Sequence, residues 1–328
     1  APESMYNDQL DMVVKVLADK KLIVNSEGAK CAFFADGELS GGETTPYIVQ
    51  KKDGGYLYST TDLAAVDYRT HILHGTRLLY VVDARQSFHF KQLFSLAKKA
   101  GFAEQNTTME HIYFGTMMNE QGKPFKTREG GTVKLINLIN EAKQRAEKLI
   151  EQKNTNSNQI DLEELAKKLA IASIKYADLS KNRTSDYIFA FDKMLAFEGN
   201  TAPYLLYAYT RIQGLLKKAS QELDYPAELV LYSSHKIIIS HATEHKLAVL
   251  LARFADILLI TAKECYPHYL CQYLYGLSGA FMQFYEVCNI VKEPNQELVI
   301  SRLVLVDKIA QILKTGLGLL GISTVEKM

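Results

Sequence analysis

The amino-acid sequence predicts an α/β domain with a parallel, doubly wound sheet, followed by an all-α helical bundle. Strand and helix signals alternate over residues 1–118, and strand signals nearly vanish from residue 132 onward. A chain of 328 residues is long enough for two domains of ~100 to 200 residues each. The polar stretch 154–159 is the most plausible linker, so we predict domains at residues 1–153 and 154–328.

The first half begins with an amphipathic helix, in which apolar residues recur at helical spacing from Leu10 to Leu17. Residues 53–55, Asp-Gly-Gly, mark a turn between two short β segments and indicate a hairpin. The hydroxyl residues 59–61 supply an N-cap for the next helix. The predicted strands are residues 29–34, 47–52, 56–58, 77–83 and 110–118, and the predicted helices after the first are residues 62–74 and 88–100. This order is typical of a parallel, doubly wound sheet.

The second half is predicted to be all helical. Its helices are residues 135–152, 160–179, 201–220, 241–265, 270–287 and 298–320.

Composition excludes several classes of protein. The net charge is only +1, so contact with a nucleic acid would need a local basic patch. Four cysteines without CxxC spacing are typical of a reducing cytoplasm. Cys265, His268 and Cys271 would fall at i, i+3 and i+6 of a helix, which is poor geometry for one metal ion. No apolar run approaches the ~20 residues of a membrane span.

Polar residues follow successive predicted strands, where parallel sheets bind their ligands. Tyr58 and Asp62 follow one strand, and Gln86 and His89 follow the next. Asp62 suits a cationic ligand, although a carboxylate there could also simply favour the start of its own helix. A histidine in the position of His89 is more often structural than catalytic.

The segment 122–134 follows the last predicted strand and combines four cations, two hydroxyls and adjacent glycines. Glycines such as Gly130 let the backbone approach an anion, and Lys126 and Arg128 can follow charge on a leaving phosphate. Such a loop between strand and helix predicts a polyphosphate site. The alternative is a solvated surface turn.

Two longer stretches resemble one family. The sequences KPFKTREGGTVK, residues 123–134, and KYADLSKNRTSDYIFAFDKMLAFEGNTAPYLLYAY, residues 175–209, closely resemble bacterial arginyl-tRNA synthetases. The resemblance extends from Tyr6 to the terminal VEKM. It implies the carboxy-terminal half of a class I nucleotide-binding fold with an anticodon-binding helical bundle.

The resemblance also implies roles for particular residues. The basic loop is similar to a variant of the class I KMSKS signature, which places the catalytic residues at Lys126, Thr127 and Arg128. Arginine would be bound by Tyr58, Asp62 and Gln86, and ATP by Met117, Met118 and Gly130. The two methionines could equally be core residues.

The helical half is similar to the anticodon-binding domain of this family, although residues 250–253 match its D-A-L-R motif only loosely. The resemblance places tRNA contacts at Tyr285 and Met328, and aromatic stacking on unpaired bases is a common way to read RNA. Tyr273 and Tyr275 are better explained as core. Lysines such as Lys246 could contact phosphates or simply lie on a solvated face.

The function implied is an arginine-tRNA ligase, which activates arginine with ATP and transfers it to tRNA(Arg). Mg²⁺ would accompany ATP, no tightly bound metal is expected, and the protein would be a cytoplasmic monomer. The family's H-x-G-H signature does not occur, so we expect this chain to be a carboxy-terminal portion that is inactive alone. The alternatives are an isolated tRNA-binding module, or a class I ligase for another amino acid if Asp62 does not select arginine.

Overall fold

The computed structural model describes residues 2–35, 37–39, 45–123, 134–153, 159–222 and 237–328. They fall into two units, Ala1–Gly115 and Thr116–Met328. The predicted basic loop at residues 124–133 and the linker at residues 154–158 lie outside the described residues. The predicted domain boundary at 153/154 therefore stays a prediction.

The first unit combines an antiparallel sheet with a pair of parallel strands. Strands β1, β2 and β3 form the antiparallel sheet in that order, and β4 pairs with β5 in parallel, Arg77 lying opposite Thr108. The elements are α1 (Leu10–Asp19), β1 (Val24–Ser26), β2 (Ala29–Ala32), β3 (Tyr47–Gln50), α2 (Tyr58–Asp67), β4 (Arg77–Tyr80), α3 (Ser87–Ala100) and β5 (Thr108–His111). A 3-10 helix (Glu3–Gln9) precedes α1, a π-helical segment (Tyr68–Ile72) continues α2, and a short 3-10 helix (Ala84–Gln86) precedes α3.

Helices α1, α2 and α3 bury their apolar faces in a single core in this unit. The buried residues of α1 lie at the i, i+3, i+4 and i+7 positions of one face, as the sequence predicts. Helix α3 contributes Phe90, Leu93 and Ala97 to the same core and ends where Gly101 adopts a left-handed conformation at φ 76°.

Several details of this unit differ from the sequence prediction, and strand β1 was not predicted. The predicted hairpin across residues 53–55 is reduced to one antiparallel bridge, between Gln50 and Tyr56. Helix α2 begins at Tyr58, four residues earlier than predicted, because the hydroxyls of Ser59 and Thr60 donate to carbonyl oxygens of β3 instead of capping the helix. The single strand predicted at residues 110–118 is divided between two short strands.

Among its described residues, the regular structure of the second unit is helical apart from one short parallel pair of strands. Strand β6 (Met117–Met118) pairs with β7 (Tyr187–Ile188). The helices are α4 (Leu135–Lys153), α5 (Gln159–Leu179), α6 (Phe191–Met194), α7 (Ala202–Glu222), α8 (Ala242–Ala252), α9 (Phe254–Glu264), α10 (Pro267–Val287) and α11 (Gln296–Leu319). The predicted parallel pairing and the predicted helical second half are both confirmed.

Specific caps and breaks set the ends of the last four helices. Asn295 caps α11 by accepting hydrogen bonds from the first-turn N–H groups, and Pro267 occupies the first turn of α10. The single helix predicted at residues 241–265 is broken at Arg253, whose ψ of −5° departs from the helical repeat. Tyr176 is buried among these helices, and its hydroxyl lies 2.6 Å from Asn200 Oδ1 and 2.9 Å from the Cys271 carbonyl oxygen.

Across the described residues, no helix combines the length and the apolar character that crossing a bilayer would require.

Candidate functional site

Tyr58 and Asp62 lie one turn apart on α2 and therefore on one face of the helix. The first turn of α2 is held against β3, because Ser59 and Thr60 donate their hydroxyl hydrogens to the carbonyl oxygens of Ile48 and Val49. The position of the Tyr58 and Asp62 face is thus fixed by hydrogen bonds to the sheet.

Asp62 is joined to α3 by a hydrogen bond from His89. The His89 Nε2 to Asp62 Oδ2 distance is 2.7 Å, the imidazole is 11% exposed and the carboxylate is 33% exposed. The His89 ring is stacked on Tyr47, with centroids 5.4 Å apart and an interplanar angle of 21°, and it lies 4.9 Å from the Tyr58 ring. In the part of the chain that the structure describes, no other hydrogen bond to the Asp62 carboxylate is found.

Two buried tyrosines, Tyr47 and Tyr80, lie close enough to Asp62 to feel its charge. Burial, and then the charge of Asp62, raise the pKa of Tyr47 well above its ordinary value, and the Tyr47 hydroxyl donates to the Ser59 carbonyl oxygen at 3.1 Å. Burial likewise raises the pKa of Tyr80, against the opposing influence of the Arg69 guanidinium 5.2 Å from its ring centroid. The Asp62 carboxylate is one-third exposed, so a cation from solution can reach it.

Gln86 lies at the start of α3, three residues before His89 and on the same side of the helix. Its backbone N–H donates to the Asp83 carbonyl oxygen at 3.1 Å. The Arg85 side chain and backbone N–H both donate to the Asp83 carboxylate, which lowers the pKa of Asp83 to about 2. This short turn leaves Gln86 exposed directly before α3.

Asp62 and the start of α3 come close together in a different way from the one the sequence predicted. The sequence placed Tyr58, Asp62 and Gln86 at the edge of one parallel sheet, but β3 and β4 belong to different sheets in the described residues. Asp62 and the start of α3 are instead brought together by the packing of α2 against α3. His89, which the sequence left as a structural histidine, is the residue that makes the contact.

Four of the predicted loop residues, Lys126, Thr127, Arg128 and Gly130, lie outside the described residues. The chain just before them makes a tight turn, in which Asn119 Oδ1 accepts hydrogen bonds from the N–H groups of Gln121 and Lys123 at 3.1 and 3.0 Å. Gly122 in this turn has φ 70°, a conformation that favours glycine.

Met117 and Met118, the residues predicted near adenine, form strand β6 in the second unit. Both are half-buried, and Met117 packs against the helical core. A packing role and a nucleotide contact are both compatible with this position.

A cation and two aromatic rings form a second cluster, on helices α7 and α10 of the second unit. The Arg211 guanidinium lies 4.5 Å from the centroid of the Tyr285 ring and donates to the Tyr207 hydroxyl at 3.2 Å. Tyr207 is exposed and Tyr285 is half-buried. The sequence identified Tyr285 but missed Arg211, although its spacing of four residues from Tyr207 on a helix was a usable signal. Such a surface can stack unpaired bases and contact a phosphate.

The other aromatic and terminal residues have different environments. Tyr273 is buried and donates to the Leu250 carbonyl oxygen at 2.9 Å, so its predicted core role is confirmed. Tyr275, also predicted as core, is instead exposed and makes an edge contact with Tyr204. Met328 is half-buried against the helical core. Lys246 donates to Gln283 at 3.0 Å.

Comparison with known proteins gives matches over most of the chain. Residues 1–191 match the family described as tRNA synthetases class I (R), catalytic domain, and residues 205–328 match the DALR anticodon binding domain. Curated relatives called arginine–tRNA ligase include those of Shewanella oneidensis and a Marinomonas species. Both are 50% identical to this chain, over 326 and 327 residues respectively. These alignments cover 99% and 100% of this chain but 55% of each relative, so the chain spans about half the length of the relatives it matches.

Comparison with solved structures also finds similarity to arginyl-tRNA synthetases. An arginyl-tRNA synthetase of Plasmodium falciparum is 33% identical with a TM-score of 0.82, over 100% of this chain and 54% of that protein. The Thermus thermophilus arginyl-tRNA synthetase also gives a TM-score of 0.82, over 98% of this chain and 58% of that protein. At 23% identity the second likeness concerns the fold alone.

Proposed function

This chain belongs to the arginine-specific class I tRNA synthetases, and we propose on that basis that it supplies the arginine-binding and tRNA-binding parts of an arginine-tRNA ligase. In the proposed reaction, a carboxylate oxygen of arginine attacks the α-phosphorus of ATP and pyrophosphate leaves. A ribose hydroxyl at the 3′ end of tRNA(Arg) then attacks the carbonyl carbon of the arginyl-adenylate, and AMP leaves.

The observation that carries this proposal is the environment of Asp62. Its carboxylate is held at one oxygen by His89, whose ring contacts those of Tyr47 and Tyr58, and is otherwise without a hydrogen-bond donor in the described residues. Carboxylates bind guanidinium groups through paired, charge-assisted hydrogen bonds, and aromatic faces attract the same group. We assign the guanidinium of arginine to Asp62 and Tyr58, with Gln86 as a further hydrogen-bonding partner.

Activation of arginine needs a site for ATP, which we assign to the predicted loop and the strand before it. Lys126, Thr127 and Arg128 would stabilise the departing pyrophosphate, and the glycine at position 130 would let the backbone approach it. Met117 and Met118 would lie beside adenine. Mg²⁺ enters this proposal with ATP as part of the substrate, and no residue of this chain is assigned to it.

Binding of tRNA is assigned to the helical unit, with Tyr285 and Met328 near the anticodon loop. The support is the match to an anticodon-binding family and the Arg211 guanidinium over the Tyr285 ring. An arginine beside a half-buried aromatic ring can hold a phosphate while the ring stacks on a base.

A monomer in the cytoplasm completes the proposal. All four cysteines are free thiols, which is typical of proteins from a reducing compartment. Light scattering after size-exclusion chromatography would test the monomer.

The main test is arginine-dependent exchange of pyrophosphate into ATP by the full-length natural protein that contains this sequence. Asp62→Ala should raise the KM for arginine by about 100-fold, because removing the charged partner of a bound cation costs ~2 to 5 kcal/mol. Asp67→Ala is the matched control, since Asp67 lies on the same helix and also contacts a histidine, His71, at 2.8 Å. Unchanged arginine kinetics in Asp62→Ala would reject the assignment and leave a ligase for another amino acid.

The second candidate function is a tRNA-binding module without catalysis, favoured by the Arg211 and Tyr285 surface. Filter binding of tRNA(Arg) to this chain should weaken steeply as salt increases, because phosphate contacts release counterions. Tyr285→Ala should weaken binding by roughly ten-fold through lost base stacking. Tyr269→Ala, which removes another half-buried tyrosine on α10, is the control and should leave binding unchanged. Binding by this chain without arginine activation by the full-length protein would favour the module.

A further inference from the structure

We propose that His89 is a positioning residue for arginine recognition: it holds the Asp62 carboxylate and the Tyr58 ring in the arrangement that receives the guanidinium. This inference rests on the proposed function and adds a residue that lies outside the set Tyr58, Asp62 and Gln86. It is carried by the His89 to Asp62 hydrogen bond and by the rings that confine the imidazole.

The imidazole has little freedom to move. Tyr47 stacks on it at 5.4 Å, Tyr58 lies at 4.9 Å and Phe90 makes an edge contact at 5.2 Å. Tyr47 is itself fixed, because its hydroxyl donates to a backbone carbonyl oxygen at the start of α2. The Nε2–H group of His89 is therefore a donor with a fixed direction, which is what preorganisation of a binding site requires.

The hydrogen bond from His89 leaves enough acceptor positions on the Asp62 carboxylate to bind a guanidinium. A carboxylate has about four acceptor positions on two oxygens, and His89 occupies one position on Oδ2. The Oδ1 atom and a second position on Oδ2 remain for a ligand. Because this hydrogen bond already restrains its rotamer, Asp62 loses less side-chain entropy when arginine binds.

A second pair of carboxylate and imidazole in the same unit differs from the Asp62 and His89 pair in its exposure and in the sequence separation of its residues. Asp67 and His71 lie 2.8 Å apart, but both belong to one continuous helical stretch, and the His71 side chain is 41% exposed. The Asp62 and His89 pair joins two helices across 27 positions of sequence, and its imidazole is 11% exposed. Packing alone does not need a nitrogen at this buried position, since an aromatic hydrocarbon of similar size would fill it without a desolvation cost.

The test compares variants in the full-length natural protein that contains this sequence. His89→Phe keeps the aromatic packing and removes the donor, and His89→Leu is a second variant without a donor. His89→Gln restores an N–H group that can reach Asp62. His71→Phe is the matched control. For each variant, kcat, the KM for arginine and the KM for ATP are measured by pyrophosphate exchange, with thermal unfolding to confirm the fold.

We expect His89→Phe and His89→Leu to raise the KM for arginine about ten-fold, the size expected when one charge-assisted hydrogen bond is lost. The KM for ATP should stay within about two-fold, because the ATP residues are assigned elsewhere in the chain. His89→Gln should recover most of the arginine affinity, and His71→Phe should match the unaltered protein.

A wild-type arginine KM in whichever donor-free variant folds would overturn the inference. Equal increases in the two KM values, or no recovery in His89→Gln, would also overturn it, because both indicate a packing role only. Asp62→Asn separates this failure from failure of the proposed function. If Asp62→Asn raises the arginine KM and the donor-free variants do not, only the role of His89 is wrong, whereas an unaffected Asp62→Asn rejects the arginine site itself.

Discussion

Two carboxylates, one in each unit, have the same distance to a basic side chain and very different surroundings. Asp62 of the first unit lies 2.7 Å from His89, and Glu244 of the second lies 2.7 Å from Arg302 Nε. Asp62 is one-third exposed with a single hydrogen-bond partner in the described residues. Glu244 is fully buried and also accepts from the backbone N–H groups of Ser240 and His241 at 2.6 and 2.9 Å.

The Arg302 guanidinium, like the Glu244 carboxylate, has several hydrogen-bond partners. It is 8% exposed and donates to Glu293 at 2.9 Å and to the Asn289 carbonyl oxygen at 2.6 Å, in addition to Glu244. Although burial alone would raise the pKa of Glu244, the hydrogen bonds from Arg302 and the two N–H groups lower it below its ordinary value. The comparison shows that unused acceptor capacity, and not the ion pair itself, distinguishes a candidate binding carboxylate from a structural one.

The largest expected effect on the free energy of unfolding comes from breaking the buried pair of Glu244 and Arg302. Glu244→Ala should destabilise this chain by ~3 to 5 kcal/mol, because it leaves the Arg302 charge buried without its main partner and removes the Glu244 side of the capping box of α8, where the carboxylate accepts from the His241 N–H. The measurement is urea unfolding followed by circular dichroism. Glu244→Gln keeps the shape and should cost less. A loss below about 1 kcal/mol for Glu244→Ala would contradict a structural role for this pair.

A change of pH is expected to have a smaller effect on the free energy of unfolding. The folded-state pKa of Glu244 is lowered from its ordinary 4.5, so its contribution to the unfolding free energy is fully present above that value. The contribution is lost as pH falls below 4.5 and through the folded-state pKa. Unfolding measured between pH 7 and pH 3 should therefore show a steeper acid loss in the unaltered chain than in Glu244→Gln. Parallel curves would contradict this linkage.

The smallest expected effect on stability comes from Asp62→Asn. A partly exposed pair contributes about 1 kcal/mol or less, so the unfolding free energy should change by no more than that. The same substitution should abolish most arginine affinity in the full-length protein. A large loss of stability from Asp62→Asn would remove the distinction between the two carboxylates.

The helices of the second unit were predicted best, because amphipathic periodicity is a local property of the sequence. The helices at 135–152 and 160–179 agree with α4 and α5 to within one residue at each end. The break at Arg253 was missed, since the apolar pattern continues through it.

The first unit was predicted less well. Strands β2, β3, β4 and β5 were predicted, but strand β1 and the antiparallel arrangement of β1, β2 and β3 were not. Three- and four-residue strands carry too few side chains for their alternation to fix their partners. Similarly, the hydroxyls at Ser59 and Thr60 were predicted to cap α2, but they bond to the neighbouring strand.

The sequence by itself determined the family resemblance, most of the strands and helices in their order, and the identity of Asp62 and Tyr285 as candidate binding residues. The tertiary structure alone decided which partners the charged side chains have. His89 reaches Asp62 across 27 positions, and Arg302 reaches Glu244 across 58. Such pairings depend on which helix faces meet, and because packing is set by the whole core, no local sequence pattern specifies them.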